Sequence, residues 1–333
     1  MDLRKCGSME QIAYARRIQF QEGRAAGLQA VEVKAGVLRY LIALDKCMDI
    51  AEASYEGVNL NFLSRQGLQN RQPYDTHGIE AQRSIMGGLF FTCGTDNVGT
   101  PEEEKGLPMH GTLRSTPASQ VGIDTFWKDE KYHIAVRGQM RQAALFGENI
   151  LLKRTIETTM DMQGRADAIR VHDVFMNEAC TKAPFMLLYH CNLGYPLLDS
   201  GCHIDIPTSQ TVLRGENTAT DLPWQMVDEP KEGIMEQVFF HQAKADPLGR
   251  VTVRMYNEKL GKGLAIIYRQ DQLPRLTQWK SMAAGDYVVG IEPCNCHVNG
   301  QTWEREHGSL MYIMPGEQKE TELEFHILHK IES

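Results

Sequence analysis

Residues 151–178, LLKRTIETTMDMQGRADAIRVHDVFMNE, decide the fold class. The first arm, from Leu152 to Met160, carries Thr155, Ile156, Thr158 and Thr159, β-branched residues that fit a pleated surface better than a helix. Asp161-Met162-Gln163-Gly164-Arg165 then supplies a turn, because aspartate bonds to nearby backbone amides and glycine accepts positive φ. Ala168 to Phe175 returns with the same character, so the segment reads as a long β-hairpin.

The same reading extends along the chain. Turn signals recur at Gln21-Glu22-Gly23, at Trp127-Lys128-Asp129-Glu130-Lys131 and at Asp246-Pro247-Leu248-Gly249, each between segments rich in β-branched or aromatic residues. Near the C-terminus Leu323, Phe325 and Ile327 alternate with Glu322, Glu324 and His326, the pattern of a half-buried strand. Helical periodicity is almost absent. Two stretches, 65 to 84 and 93 to 118, read as irregular, and segments of that length inside a compact domain usually carry function. No linker-like composition divides the chain and no fixed-period repeat occurs, so residues 1–333 are expected to form a single all-β sandwich domain.

Composition narrows the function classes. Hydrophobic residues make up 42% and charged residues 23%, enough apolar mass for a large core. The net charge of −8 leaves no broad basic field, which argues against nucleic acid or an anionic membrane as a partner. No run approaches the roughly 18 apolar residues of a membrane-spanning helix. The N-terminal residues lack the apolar core of a signal peptide, so a cytoplasmic location is expected. The eight cysteines then read as reduced thiols. Cys294-Asn295-Cys296-His297 lacks the paired spacings of strong zinc signatures, and neither a metal nor an organic cofactor is expected. Oligomeric state cannot be read from the pattern.

Three polar residues stand in apolar settings. Phe185 to Leu188 reads as a buried strand that ends at His190 and turns at Asn192-Leu193-Gly194-Tyr195-Pro196. His110 sits in Pro108-Met109-His110-Gly111, and Glu292 follows Val288-Val289-Gly290-Ile291. A histidine and a glutamate form a complementary acid and base near neutral pH once burial lifts the carboxyl. No phosphate-binding glycine loop and no nucleophile elbow accompanies them. Acid/base chemistry on a small polar molecule is the leading class, and a pocket carrying Asn, Arg, His, Gln and Trp suits a sugar.

In their order along the chain, Phe91-Thr92-Cys93-Gly94-Thr95-Asp96-Asn97-Val98-Gly99, Met109-His110-Gly111, His190 to Pro196 and Gly290-Ile291-Glu292-Pro293 resemble the aldose 1-epimerases of the galactose mutarotase-like superfamily. The resemblance is strongest to a little-characterised subgroup that also carries Leu273-Pro274-Arg275-Leu276-Thr277-Gln278-Trp279-Lys280, and it covers roughly residues 30 to 330. It implies a β-supersandwich of the galactose mutarotase type with a site on a concave sheet. It further implies His190 as the general acid toward the ring oxygen and Glu292 as the base toward the anomeric hydroxyl. His110 would steady the developing charge. The reaction implied is ring opening, rotation and reclosure at C1 of a small carbohydrate, without a cofactor.

The chain departs from the family where Asn97 is followed by Val98 rather than arginine, so Arg83 or Arg65 would have to supply the guanidinium. No aspartate matches the one that grips sugar hydroxyls; Asp228, Asp246 and Asp271 are near only in sequence. Asn97, Arg83, His241, Gln278 and Trp279 complete the expected substrate contacts, Trp279 as a stacking face and Gln278 as an amide for hydroxyls. Arg114, Arg254 and Arg275 read as ordinary surface arginines. With His190 and Glu292 as the pair, room for a pyranose between them is expected. Two other readings keep the residues: an isomerase, other epimerase or lyase acting on a sugar or sugar acid, and a non-catalytic carbohydrate-binding protein.

Overall fold

The hairpin at 151–178 forms as its sequence requires. Asn149–Met160 pairs antiparallel with Ala168–Asn177, with Thr155 opposite His172 and Ile156 opposite Val171. The computed structural model describes residues 3–70, 78–215 and 223–329. Residues 71–77 of the irregular stretch expected at 65 to 84 lie outside that range.

Two antiparallel sheets account for most of the chain. In the larger, the strands run in the order Ala13–Gln19, Gln29–Ala35, Leu38–Ala43, Asp49–Tyr55, Phe90–Thr95, Met186–Gly194, Asp286–Cys294, Arg275–Ala283, Gln237–Ala243 and Thr208–Leu213, with Val58–Asn59 beside Asp49–Tyr55. In the smaller, the order is His203–Asp205, Arg250–Asn257, Lys262–Arg269, Gln318–His329, Ala168–Asn177, Asn149–Met160, Lys131–Ala143 and Ala118–Lys128. Asp129 and Glu130 both take positive φ, 49° and 59°, which is the twist-matched geometry of a two-residue hairpin turn. Among the described residues the longest α-helical segment is Gln301–Glu306, and no helix is long and apolar enough to cross a membrane.

The two sheets pack face to face. Phe90 from the larger stacks on Phe325 from the smaller at 5.8 Å, and Leu323, Phe325 and Ile327 are buried as their alternation requires. One polar network crosses this core. Arg154 donates through Nε and Nη2 to the two carboxylate oxygens of Asp173, and through Nη1 to Asp49 on the facing sheet. Tyr189 donates its hydroxyl to Asp173 at 2.5 Å. Each charge of this network thus has a partner, as a low-dielectric interior demands.

This core dictates what the other face of the larger sheet displays. Successive side chains on a strand point to opposite faces. On Met186–Gly194, Leu187, Tyr189, Cys191 and Leu193 belong to the inter-sheet core, so His190 and Asn192 face the other way.

Candidate active site

The outward residues of the central strands line a cavity of about 630 Å³. Phe91 comes from Phe90–Thr95, His190 and Asn192 from Met186–Gly194, Glu292 from Asp286–Cys294, and Trp279 and Ser281 from Arg275–Ala283. His110 reaches the cavity from the loop after the first of these. That loop bends sharply there: His110 adopts φ 61° and Gly111 φ 74°. His110 accepts from the Gly94 amide and donates its own amide to Gly99, which holds the strained residue in place. A Cβ on Gly111 would lie 2.5 Å from Asp96 Oδ1, so only glycine fits.

His190 Nε2 lies 3.1 Å from Glu292 Oε1, and both side chains are buried. Phe91 stacks on the His190 ring at 4.6 Å, while His110 and Trp279 each meet it edge-on at 5.5 Å. Burial in this aromatic cage removes water from both charged forms. It pushes the His190 imidazole down to about 4 and the Glu292 carboxyl up to about 8; Arg214 nearby opposes the second shift and Glu236 adds to it. Burial likewise holds His110 well below the usual histidine range, helped by His190 and Arg114. Nδ1 of His110 and Nδ1 of His190 are buried without a hydrogen-bond partner among the described residues. Gly290 makes the His190–Glu292 approach possible, because a Cβ there would sit 2.8 Å from Glu292 Oε1 and 3.2 Å from His190 Cε1.

A family model described as "Domain of unknown function (DUF4432)" matches residues 25–327. The chain belongs to that family. No curated protein matches it in sequence. Solved structures match in fold. A provisionally assigned aldose 1-epimerase from Klebsiella pneumoniae superposes with a TM-score of 0.86 at 22% identity, covering 97% of this chain and 86% of its own. A galactose mutarotase-like protein from Clostridium acetobutylicum gives 0.64 at 13%, covering 96% and 99%. A galactose 1-epimerase from Lactobacillus acidophilus gives 0.58 at 9%, covering 96% and 100%. This DUF4432 member therefore has the galactose mutarotase-like sandwich fold.

The structure corrects several expectations for this DUF4432 chain. His190 does not end its strand; it lies in the middle of Met186–Gly194. No pyranose fits between His190 and Glu292, which touch. Gln278 faces the inter-sheet side, opposite to its neighbour Trp279, and donates Nε2 to the Trp224 carbonyl. His241 donates Nε2 to Gln278 Oε1 and accepts at Nδ1 from the Thr211 hydroxyl; burial pushes its pKa down to about 4. Asn97 is fully buried behind the cavity, with Nδ2 donating to the Thr100 and Pro108 carbonyls and Oδ1 accepting from Gln301. It clamps the loop that carries His110. Arg83 is exposed and does not line the cavity. Arg65 pairs with Asp286 at 2.7 Å on the rim. Asp246 and Asp271 serve nearby arginines in turns, and Asp228 lies 3.9 Å from Lys280, all outside the cavity.

The cavity instead takes its charged groups from Arg214, Glu236 and Asp286. Trp279 Nε1 donates to Glu236 Oε2 at 2.7 Å, and Arg214 Nη2 lies 3.5 Å from Glu236 Oε1. No motif marks Arg214 or Glu236 in the sequence. Asn192 was findable, since it lies two residues from His190 on the same strand, and Phe91 opens one of the quoted motifs. His297 does not present a free ring to a metal: its Nδ1 donates to Glu304 at 2.9 Å and its Nε2 accepts from Arg275 at 3.0 Å. A second cavity, about 710 Å³, lies beside the first and shares Phe62 with it. Its lining holds Glu32, Arg39 and Glu52 but no histidine, so the imidazole–carboxyl pair belongs to the first.

Proposed function

We propose that the protein is a mutarotase-type isomerase that interconverts the anomers of a sugar or sugar derivative at the His190–Glu292 pair. The observation that carries this reading is the 3.1 Å approach of a buried imidazole nitrogen and a buried carboxyl oxygen on a cavity wall. Ring opening needs one proton delivered to the ring oxygen and one removed from the anomeric hydroxyl. Both oxygens are bonded to the same carbon, so they lie close together. An acid and a base in contact match that short span better than two groups on opposite sides of the ring.

The protonation states favour one assignment of the roles. With His190 near 4 and Glu292 near 8, neutral pH leaves the proton on the carboxyl and the imidazole free. Glu292 then donates to the ring oxygen while His190 Nε2 takes the anomeric proton. This reverses the roles that the family resemblance implies. After opening, imidazolium and carboxylate stand side by side as an ion pair, and the reverse transfers close the ring on either face of C1. Trp279 offers the sugar an aromatic edge, and Arg214, Glu236, Asn192 and Asp286 offer hydrogen bonds to hydroxyls.

The direct test is the relaxation of freshly dissolved α-anomers, followed by polarimetry or by saturation-transfer NMR. Wild type should accelerate exchange, and His190→Ala combined with Glu292→Ala should abolish the acceleration. Equal rates for wild type and the double variant would sink the reading. In heavy water, deuterium entering a carbon-bound position would point instead to an isomerase, epimerase or lyase that uses the same pair.

A further inference from the structure

Arg114 reads from the sequence as a surface arginine, and the structure corrects this: the residue is 4% exposed. It sits in the short turn Leu113–Ser115 and points behind the candidate site. There, with Lys46, Asp49, Ala51, Ser84 and Met86, it lines a small cavity whose remaining wall, Ile85, Gly87 and Phe91, is shared with the large one. Arg114 Nη1 donates to Ser84 Oγ at 2.9 Å. Its Nε and Nη2 are buried and have no partner among the described residues. Lys46, 6% exposed, brings a second cation to the same cavity.

Nε and Nη2 form one edge of the guanidinium, two parallel N–H groups in a fixed fork. The same protein shows what that edge takes. Arg154 uses Nε and Nη2 to hold both oxygens of Asp173, at 2.8 and 2.6 Å. The carboxylates nearest Arg114 are committed elsewhere. Asp49 accepts from Arg154 and from the amide and hydroxyl of Thr92. Asp96 accepts from the amides of Asn97 and Thr112 and from the Thr112 hydroxyl. Their fields act on Arg114, yet neither fills its fork, and a buried donor without an acceptor is costly.

We infer that the Lys46–Arg114 cavity is an anion site that takes a carboxylate. Size favours this choice among oxyanions. The cavity measures about 20 Å³. At about 10–15 Å³ for each water-sized centre it has room for one or two, so a carboxylate of formate size is the largest oxyanion it can take and the four oxygens of a phosphate do not fit. The carboxylate is either a free small acid or the acid group of a sugar acid whose ring occupies the neighbouring cavity. The inference stands on Arg114 and Lys46 and does not depend on the mutarotase reading.

The test is thermal unfolding of the full chain, dialysed free of small acids, against sodium formate, sodium glucuronate, glucose and sodium phosphate, with ionic strength held constant by sodium sulfate. Formate should raise the wild-type Tm saturably, and phosphate should not. Arg114→Gln should weaken the formate midpoint at least tenfold, and Lys46→Met gives the same readout should the first variant fail to fold. A glucuronate midpoint at least tenfold below that of glucose, lost in Arg114→Gln, assigns the carboxylate to a sugar acid. Formate binding with no preference for glucuronate assigns it to a free acid. No saturable formate response in wild type, an unchanged response in the variants, or an equal response to phosphate overturns the site. None of these readouts requires turnover.

Discussion

A histidine stacked on Phe91 and in contact with a carboxyl is a poor cation, and Glu292 in the same cage is a poor anion. Charge there depends on few neighbours, because burial leaves little water to screen them. Arg214 is the cation that holds the Glu292 pKa down, and Glu236 is the anion that raises it. Arg214→Ala removes the favourable charge and leaves the unfavourable one, so the Glu292 pKa rises further. The proposed chemistry needs a protonated Glu292 and a neutral His190, giving a bell-shaped profile between about 4 and about 8. Arg214→Ala should therefore move the alkaline limb of kcat/KM to higher pH and leave the acid limb in place. An alkaline limb that stays or moves down refutes the assignment of that limb to Glu292. The bell alone does not tell which group carries the single shared proton, since both placements hold the same number of protons.

At the scale of the strand, alternation decides which residues reach the cavity. Gln278 and Trp279 are adjacent on Arg275–Ala283 and point to opposite faces, so they cannot both be sugar contacts. His241 follows the same rule, buried on the core side of Gln237–Ala243 while Val238 lines the cavity. Gly290 is where alternation meets close packing. It lies between Trp279 on Arg275–Ala283 and Asn192 on Met186–Gly194, its direct partners across the two ladders. Its own φ needs no glycine; the space does. Gly290→Ala would drive a methyl between Glu292 and His190. We expect kcat/KM to fall by roughly 100-fold, the order of loss that a misplacement of about 1 Å brings, while far-ultraviolet circular dichroism stays that of wild type. Unchanged activity would show that the pair does not act at its observed separation.

Across the whole molecule the two sheets are held in register by an apolar core threaded by the Arg154 network. Arg154 is completely buried and bridges Asp173 on its own sheet to Asp49 on the other, directly behind Tyr189 and therefore behind His190. Arg154→Ala leaves two buried carboxylates without their cation and should cost about 3–5 kcal/mol in denaturant unfolding. A loss below about 1 kcal/mol would mean that water reaches the network. The sandwich itself was legible along the chain: the hairpin at 151–178, the alternation at 322–327 and the turns at Asp129-Glu130 and Asp246 all formed where local chemistry placed them. Strand pairing depends on period-two burial and on turn residues, both properties of neighbours in sequence. His190, Glu292 and His110 were legible as polar groups in apolar settings, although their convergence was not. Their 3.1 Å contact, the burial of Arg114, the loss of Asn97, Gln278 and His241 to structural hydrogen bonds, and the entry of Arg214, Glu236 and Asp286 were decided only in three dimensions. Local sequence determines which residues form strands and turns. Which face of which strand meets solvent, core or cavity depends on how distant strands stack, and that information lies in the packing of the two sheets against each other.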